Sequence, residues 1–165
     1  KLLTFYFVGY VILQIPLLYK FVLFNVAFSF FYLGFLVFFP LGQNPILRLI
    51  VGFLIGLYID LFSNTPGLHA SVCTFIMLFR DTWLRAILEH QKGVLDINIY
   101  ILKMRGIWLY VLPLIFIHHL MIFWINYGSW MGLFMTFDQI LASTIFSLLS
   151  ILLINMVISK KPIRI

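Results

Sequence analysis

Asp60 offers the chain its most telling chemistry. It lies in the stretch from Gly52 to Arg80, GFLIGLYIDLFSNTPGLHASVCTFIMLFR, among Phe, Leu, Ile and Tyr. An acid inside a spanning helix costs at least ~2.5 kcal/mol near the bilayer centre, so it needs a partner. One use is as a proton or ion ligand. The other is as an acceptor that fastens the Ser63–Asn64–Thr65 turn. No second acid is placed to share a proton or cation, so fastening is the expectation. Gly52, Gly56 and Asp60 recur every fourth residue and share one helical face. The glycines strip that face of side chains, so a neighbouring helix can approach closely. These three residues, with Pro66 and Gly67 in the turn and His69 at the head of the next helix, form a partner-binding or helix-packing set. His69 is placed to cap that helix or to contact Asp60.

Arg80 could pair with Asp60 across the hairpin, but the two lie at different depths. An arginine that snorkels to the cytoplasmic interface is the better expectation. Asp81 and Arg85 are four apart with the acid first, the favourable order for a helical ion pair. His118 and His119 are adjacent and point about 100° apart on a helix, which suits interhelical hydrogen bonds better than one shared metal. The single cysteine, Cys73, sits in an apolar run and reads as a small buried hydrophobe. The chain holds no nucleophile elbow, zinc-helix motif, phosphate loop or paired carboxylates. Asp60 and Asp138 make a weak dyad, because Asp138 starts a helix rather than sitting inside one. No enzyme activity, cofactor or metal is expected.

The elements that must position these residues are helices in a membrane. Of 165 residues, 64% are hydrophobic and 10% charged. Ordinary soluble domains are only about half apolar. The apolar runs are continuous, without the alternation of a β-barrel. A compact bundle of about six transmembrane helices follows, at roughly residues 2–18, 24–39, 46–62, 68–88, 107–127 and 137–158, in a single domain. The first run lacks a small-residue cleavage site and reads as a retained helix. Pro113 should kink the fifth helix or be accommodated by a neighbour. Thr136 and Gln139 have capping-box spacing at the start of the sixth, and Ala142, Ser143, Ser147 and Ser150 give it a small-residue stripe.

The net charge is +6. The basic residues fall at helix ends rather than in a soluble patch, which argues for topology and anionic lipid contact and against nucleic acid. With both termini cytoplasmic, only Lys20 lies outside. Trp83 and Trp108 then mark the inner interface, Trp124 and Trp130 the outer.

The run GFLIGLYIDLFSNTPGLHA, followed by an apolar helix ending in Arg80, resembles the MreD family of rod shape-determining proteins, most closely its Bacteroidota form. The His118–His119 pair and the length are also similar to that form. Gly52, Gly56, Asp60, Pro66 and Gly67 match the family motif. The resemblance implies a fold similar to the six-helix substrate-binding subunit of energy-coupling-factor transporters. It implies a non-enzymatic inner-membrane component of the bacterial elongation complex. The implied partners are MreC and, through it, RodA, the elongation transpeptidase and MreB. A rival from another class is a small-molecule-binding subunit of a vitamin-type transporter. Its cavity would have to draw on Gln14, Asn25, Asp60, His69, His118, His119 and Asn126.

Overall fold

The computed structural model describes residues 10–11, 22–23, 27–40, 43–89 and 107–158. The expected first helix and the polar connection at 90–106 lie outside the described residues, apart from Tyr10 and Val11. What is described is mostly helical. A two-residue strand pair comes first, β1 (Val22–Leu23) antiparallel to β2 (Ala27–Phe28). Six α-helices follow: α1 (Tyr32–Phe38), α2 (Pro45–Ser63), α3 (Leu68–Glu89), α4 (Leu112–Tyr127), α5 (Trp130–Met135) and α6 (Phe137–Ile158).

Among the described residues three helical segments are long and apolar enough to cross a membrane: Pro45–Ser63, Trp108–Tyr127 and Phe137–Ile154. This is the character of an all-α membrane-type protein. At 22 residues α3 has the length as well, but Arg80, Asp81, Arg85 and Glu89 crowd its second half. Neither α1 nor α5 can span, since seven residues rise only about 10 Å.

The α2–α3 hairpin is built from local signals. Pro45 occupies the first turn of α2, where its missing N–H costs nothing, and the Asn44 side chain accepts from Ile46 N–H at 2.9 Å. Asn64 ends the helix in the left-handed region at φ 55° and returns its N–H to the Asp60 carbonyl. Gly67, at φ +82°, turns the chain into α3. Pro113 causes no break inside a regular helix. A π-helical turn over Ile107–Val111 precedes α4, and Pro113 falls in the first α-helical turn after it. Gly128, at φ +63°, closes α4 and leads into the short α5.

The expected helix over 24–39 is corrected by the structure. Residues 24–26 lie outside the described residues, Ala27–Phe28 is a strand, Ser29 and Phe30 belong to no helix, and the helix starts only at Tyr32. An extended segment against apolar helices needs partners for its amides. Two serines of α6 supply them: Phe28 N–H donates to Ser143 Oγ and Phe30 N–H to Ser147 Oγ, each at 3.0 Å. The serine stripe of α6 therefore binds backbone as well as giving a smooth packing face.

The largest core cluster joins α1, the inward faces of α2 and α3, the start of α4 and part of α6. Tyr10 is fully buried within it. Its ring lies where a Cβ at Gly34 would stand, and its hydroxyl donates to the Ile151 carbonyl at 3.0 Å.

Ser147→Ala tests the extended segment. It should lower the stability measured by detergent denaturation by about 1 kcal/mol, the net worth of a buried hydrogen bond. Ser150→Ala should cost less, because Ser150 only donates back to the Phe146 carbonyl one turn earlier in its own helix.

Candidate functional site

Asp60 stands on the last turns of α2, 4% exposed, facing the start of α3. A helix begins with amides that have no partner inside it. Asp60 fills that need from the neighbouring helix. Its Oδ1 accepts from His69 N–H and from the Thr65 hydroxyl, both at 2.9 Å, and its Oδ2 accepts from Ala70 N–H at 2.9 Å. His69 Nδ1 lies 3.0 Å from Oδ1. The positive end of the α3 dipole faces the carboxylate. One side chain thus caps α3 and closes the hairpin.

The acceptor-only carboxylate also bears on the His69 tautomer. A proton on Nδ1 suits Asp60, with the Thr65 hydroxyl also 3.0 Å from that nitrogen, and Nε2 is buried without a partner.

The glycine face is spent inside the same hairpin. A Cβ on Gly56 would collide with the Ala70 Cα and the His69 carbonyl. A Cβ on Gly52 would meet the Met77 side chain at 2.8 Å and the Cys73 carbonyl at 3.0 Å. The close neighbour is therefore α3 itself. Pro66 and Gly67 lie in the connecting turn.

Beyond the hairpin, Phe30 sits at the meeting point of three histidines. Its ring centroid lies 5.7 Å from that of His69, 5.6 Å from His118 and 5.2 Å from His119. The Tyr32 hydroxyl is 2.8 Å from His118 Nε2, a bond between α1 and α4. His118 Nδ1 is buried without a partner. His119 Nδ1 donates to the Ile115 carbonyl at 2.8 Å, and its Nε2 lies 3.3 Å from Ser147 Oγ on α6. The adjacent histidines thus diverge to different helices, as their angular separation requires. Among the described residues no three of His, Cys, Asp and Glu are grouped as a metal set would be.

The charged residues of α3 depart from expectation. Arg80 does not snorkel, since it is wholly buried. Its two terminal nitrogens donate to the carbonyls of Leu36 and Phe39, and its Nε donates to Asp81 Oδ1 at 3.0 Å. Those carbonyls belong to the end of α1, where a cation offsets the negative end of the helix dipole. The Tyr110 hydroxyl completes that end by donating to the Val37 carbonyl at 3.1 Å.

Asp81 does not take Arg85 among the described ion pairs. Its Oδ2 pairs with Arg48 of α2. Arg85 points outward and is exposed. The Asp60–Arg80 pair that the difference in depth argued against is not among the described ion pairs, and each residue has other partners.

Sequence reasoning missed Tyr32, Phe30 and Arg48. Thr65 was legible as part of a polar turn. Tyr32 and Phe30 are hidden in a Phe-rich run, and Arg48 reads only as a topological charge. No protein-family model matches the chain, and no curated protein or solved structure does.

Proposed function

We propose that this chain is a non-enzymatic scaffold of the bacterial inner membrane that binds MreC and helps to regulate peptidoglycan synthesis and cell shape. RodA, the elongation transpeptidase and MreB are its indirect partners. The observation that carries this reading is the state of Asp60. Both carboxylate oxygens are occupied by donors of the turn and of α3, so the motif behind the MreD resemblance acts as a fastener. A reaction centre would need that acid free to meet a substrate or exchange a proton.

The fastened hairpin turns an apolar face outward. Ile50, Phe53, Leu54, Leu57 and Leu61 are exposed along α2. Such a face can hold lipid or one partner helix. Docking of MreC there would act by favouring one of its arrangements, which requires different affinities for the two.

Single cysteines at positions 50, 54 and 61 of α2, and at 145 and 149 of α6, test this by crosslinking to MreC in membranes. Crosslinks are expected from a contiguous stripe. Equal, sparse labelling from every position, together with failure to co-purify with MreC, overturns the proposal. Cys73 is buried and contributes little background.

A second reading, the small-molecule-binding membrane subunit, has one observation in its favour. His69 Nε2 and His118 Nδ1 are both buried, both unpartnered and both beside Phe30. A vitamin-dependent melting shift that is lost in His118→Phe would support it over the scaffold.

A further inference from the structure

The end of the bundle formed by the start of α2 and the second half of α3 holds more positive charge than it neutralises. By sequence that end carries Arg48, Arg80 and Arg85 against Asp81 and Glu89, and among the described ion pairs Asp81 is the acid the arginines share. Both Asp81 oxygens are taken, Oδ1 by Arg80 and Oδ2 by Arg48. The Arg80 guanidinium is fully employed, because its other nitrogens hold the end of α1. Arg48 is not. Its side chain is 8% exposed, yet its Nε–H has no acceptor. Arg85 lies one turn beyond Asp81 on α3, exposed, on the same side of the helix as the carboxylate that Arg48 holds. Two guanidiniums that share one carboxylate in apolar surroundings leave an uncompensated cation, which is costly. An anion reaching Arg85 and the Arg48 flank would compensate it.

Neighbouring residues narrow the anion. Trp83 lies two residues before Arg85, and its Nε1–H donates to the Leu109 carbonyl at 2.9 Å, which brings the start of the α4 segment to this end. Trp108 stands exposed beside it. Exposed tryptophans favour the level of lipid head groups. Ile46, Leu47 and Ile50 are exposed on the first turns of α2, an apolar wall next to the charge. A charged site bordered by tryptophan and open hydrocarbon suits a phosphate that carries acyl chains. The basic residues that gather at this end place it on the cytoplasmic, anionic leaflet.

We propose that Arg48 and Arg85 form a binding site for the phosphate of an anionic phospholipid, set between the start of α2 and the last third of α3. The lipid supplies the negative charge that the buried arginine cluster lacks. It also braces the end of the hairpin opposite the Asp60 turn. The site depends on the membrane-helix character of the chain and not on the identity of a protein partner.

The test titrates purified protein in neutral detergent with phosphatidylglycerol, phosphatidylcholine or inorganic phosphate, read by melting temperature and by native mass spectrometry of bound lipid. Phosphatidylglycerol should raise the melting temperature and stay bound; phosphatidylcholine should do neither. Arg85→Gln should weaken phosphatidylglycerol binding about fivefold, the worth of one arginine near an anionic surface. Its melting temperature in phosphatidylcholine should not fall, because Arg85 is outside the packed network. Arg48→Gln should weaken binding too, but it also melts lower for want of the Asp81 pair, so Arg85→Gln is the deciding variant. Equal effects of the two lipids, or unchanged affinity in Arg85→Gln, overturn the site. Stabilisation by inorganic phosphate that equals the lipid's would overturn the lipid assignment in favour of a soluble anion.

Discussion

Gly56→Leu should part α2 from α3 and lower the stability of the hairpin by about 3 kcal/mol or more. Overpacking a tight site typically costs about 1–3 kcal/mol when side chains can give way. Here they cannot, because the atoms in the way are the Ala70 Cα and the His69 carbonyl, both backbone. Relief requires the helices to separate, and separation pulls the His69 and Ala70 amides off Asp60. Gly52→Ala is the graded control. Its Cβ meets the flexible Met77 side chain first, so a loss nearer ~1 kcal/mol is expected. The measurement is detergent denaturation of the purified protein, with MreC co-purification alongside. If Gly56→Leu denatures like the parent chain, the close seam is wrong. If it is unstable and yet retains MreC at full yield, the hairpin is intramolecular structure with no bearing on the partner.

The second large effect belongs to Asp60→Ala. The change strips acceptors from two α3 amides, the Thr65 hydroxyl and the His69 ring at once. Buried donors left without partners cost about 1–3 kcal/mol each, and water entering the turn recovers part of that. A net loss of about 3 kcal/mol is expected. Asp60→Asn should lose less, because its oxygen can keep the three donors at the Oδ1 position and only Ala70 N–H meets an amide nitrogen. The ranking separates fastening from ion handling. A fastener gives graded instability, and under the proposed function MreC binding should fall in step with it. An ion-handling acid would give Asn and Ala variants that are equally inactive while stability stays near the parent's. That second pattern would remove the basis for the scaffold reading.

Between these two residues lies most of what was legible from one sequence. The hairpin carries its own instructions: Pro45 and Asn44 open α2, Asn64 and Gly67 turn the chain, and the glycine ladder marks the packed face. Each signal acts within a few residues, so α2 and α3 fall within about one residue of the expected 46–62 and 68–88. Long uninterrupted apolar runs likewise place the segments at 107–127 and 137–158. The Asp60 fastening was readable for the same reason, because donor and acceptor are only five to ten positions apart.

What tertiary structure alone decided is where polar groups found partners far along the chain. The Phe-rich run before Tyr32 has helical length and no breaker. Over Ala27–Phe30 it is not helical, and Ser143 and Ser147, more than 110 residues away, accept the amides of Phe28 and Phe30. Arg80 has the position of a snorkelling arginine, but the carbonyl end of α1 lies within reach and outcompetes the interface. Asp81 had an ideal partner four residues on and took Arg48 from another helix instead, because the packed side of α3 faces α2. Apolar length and turn residues are properties of a segment, so the sequence by itself determined the helices and the hairpin. Hydrogen-bond and charge satisfaction in a dry interior is a property of the whole packing, and only the assembled bundle could assign it.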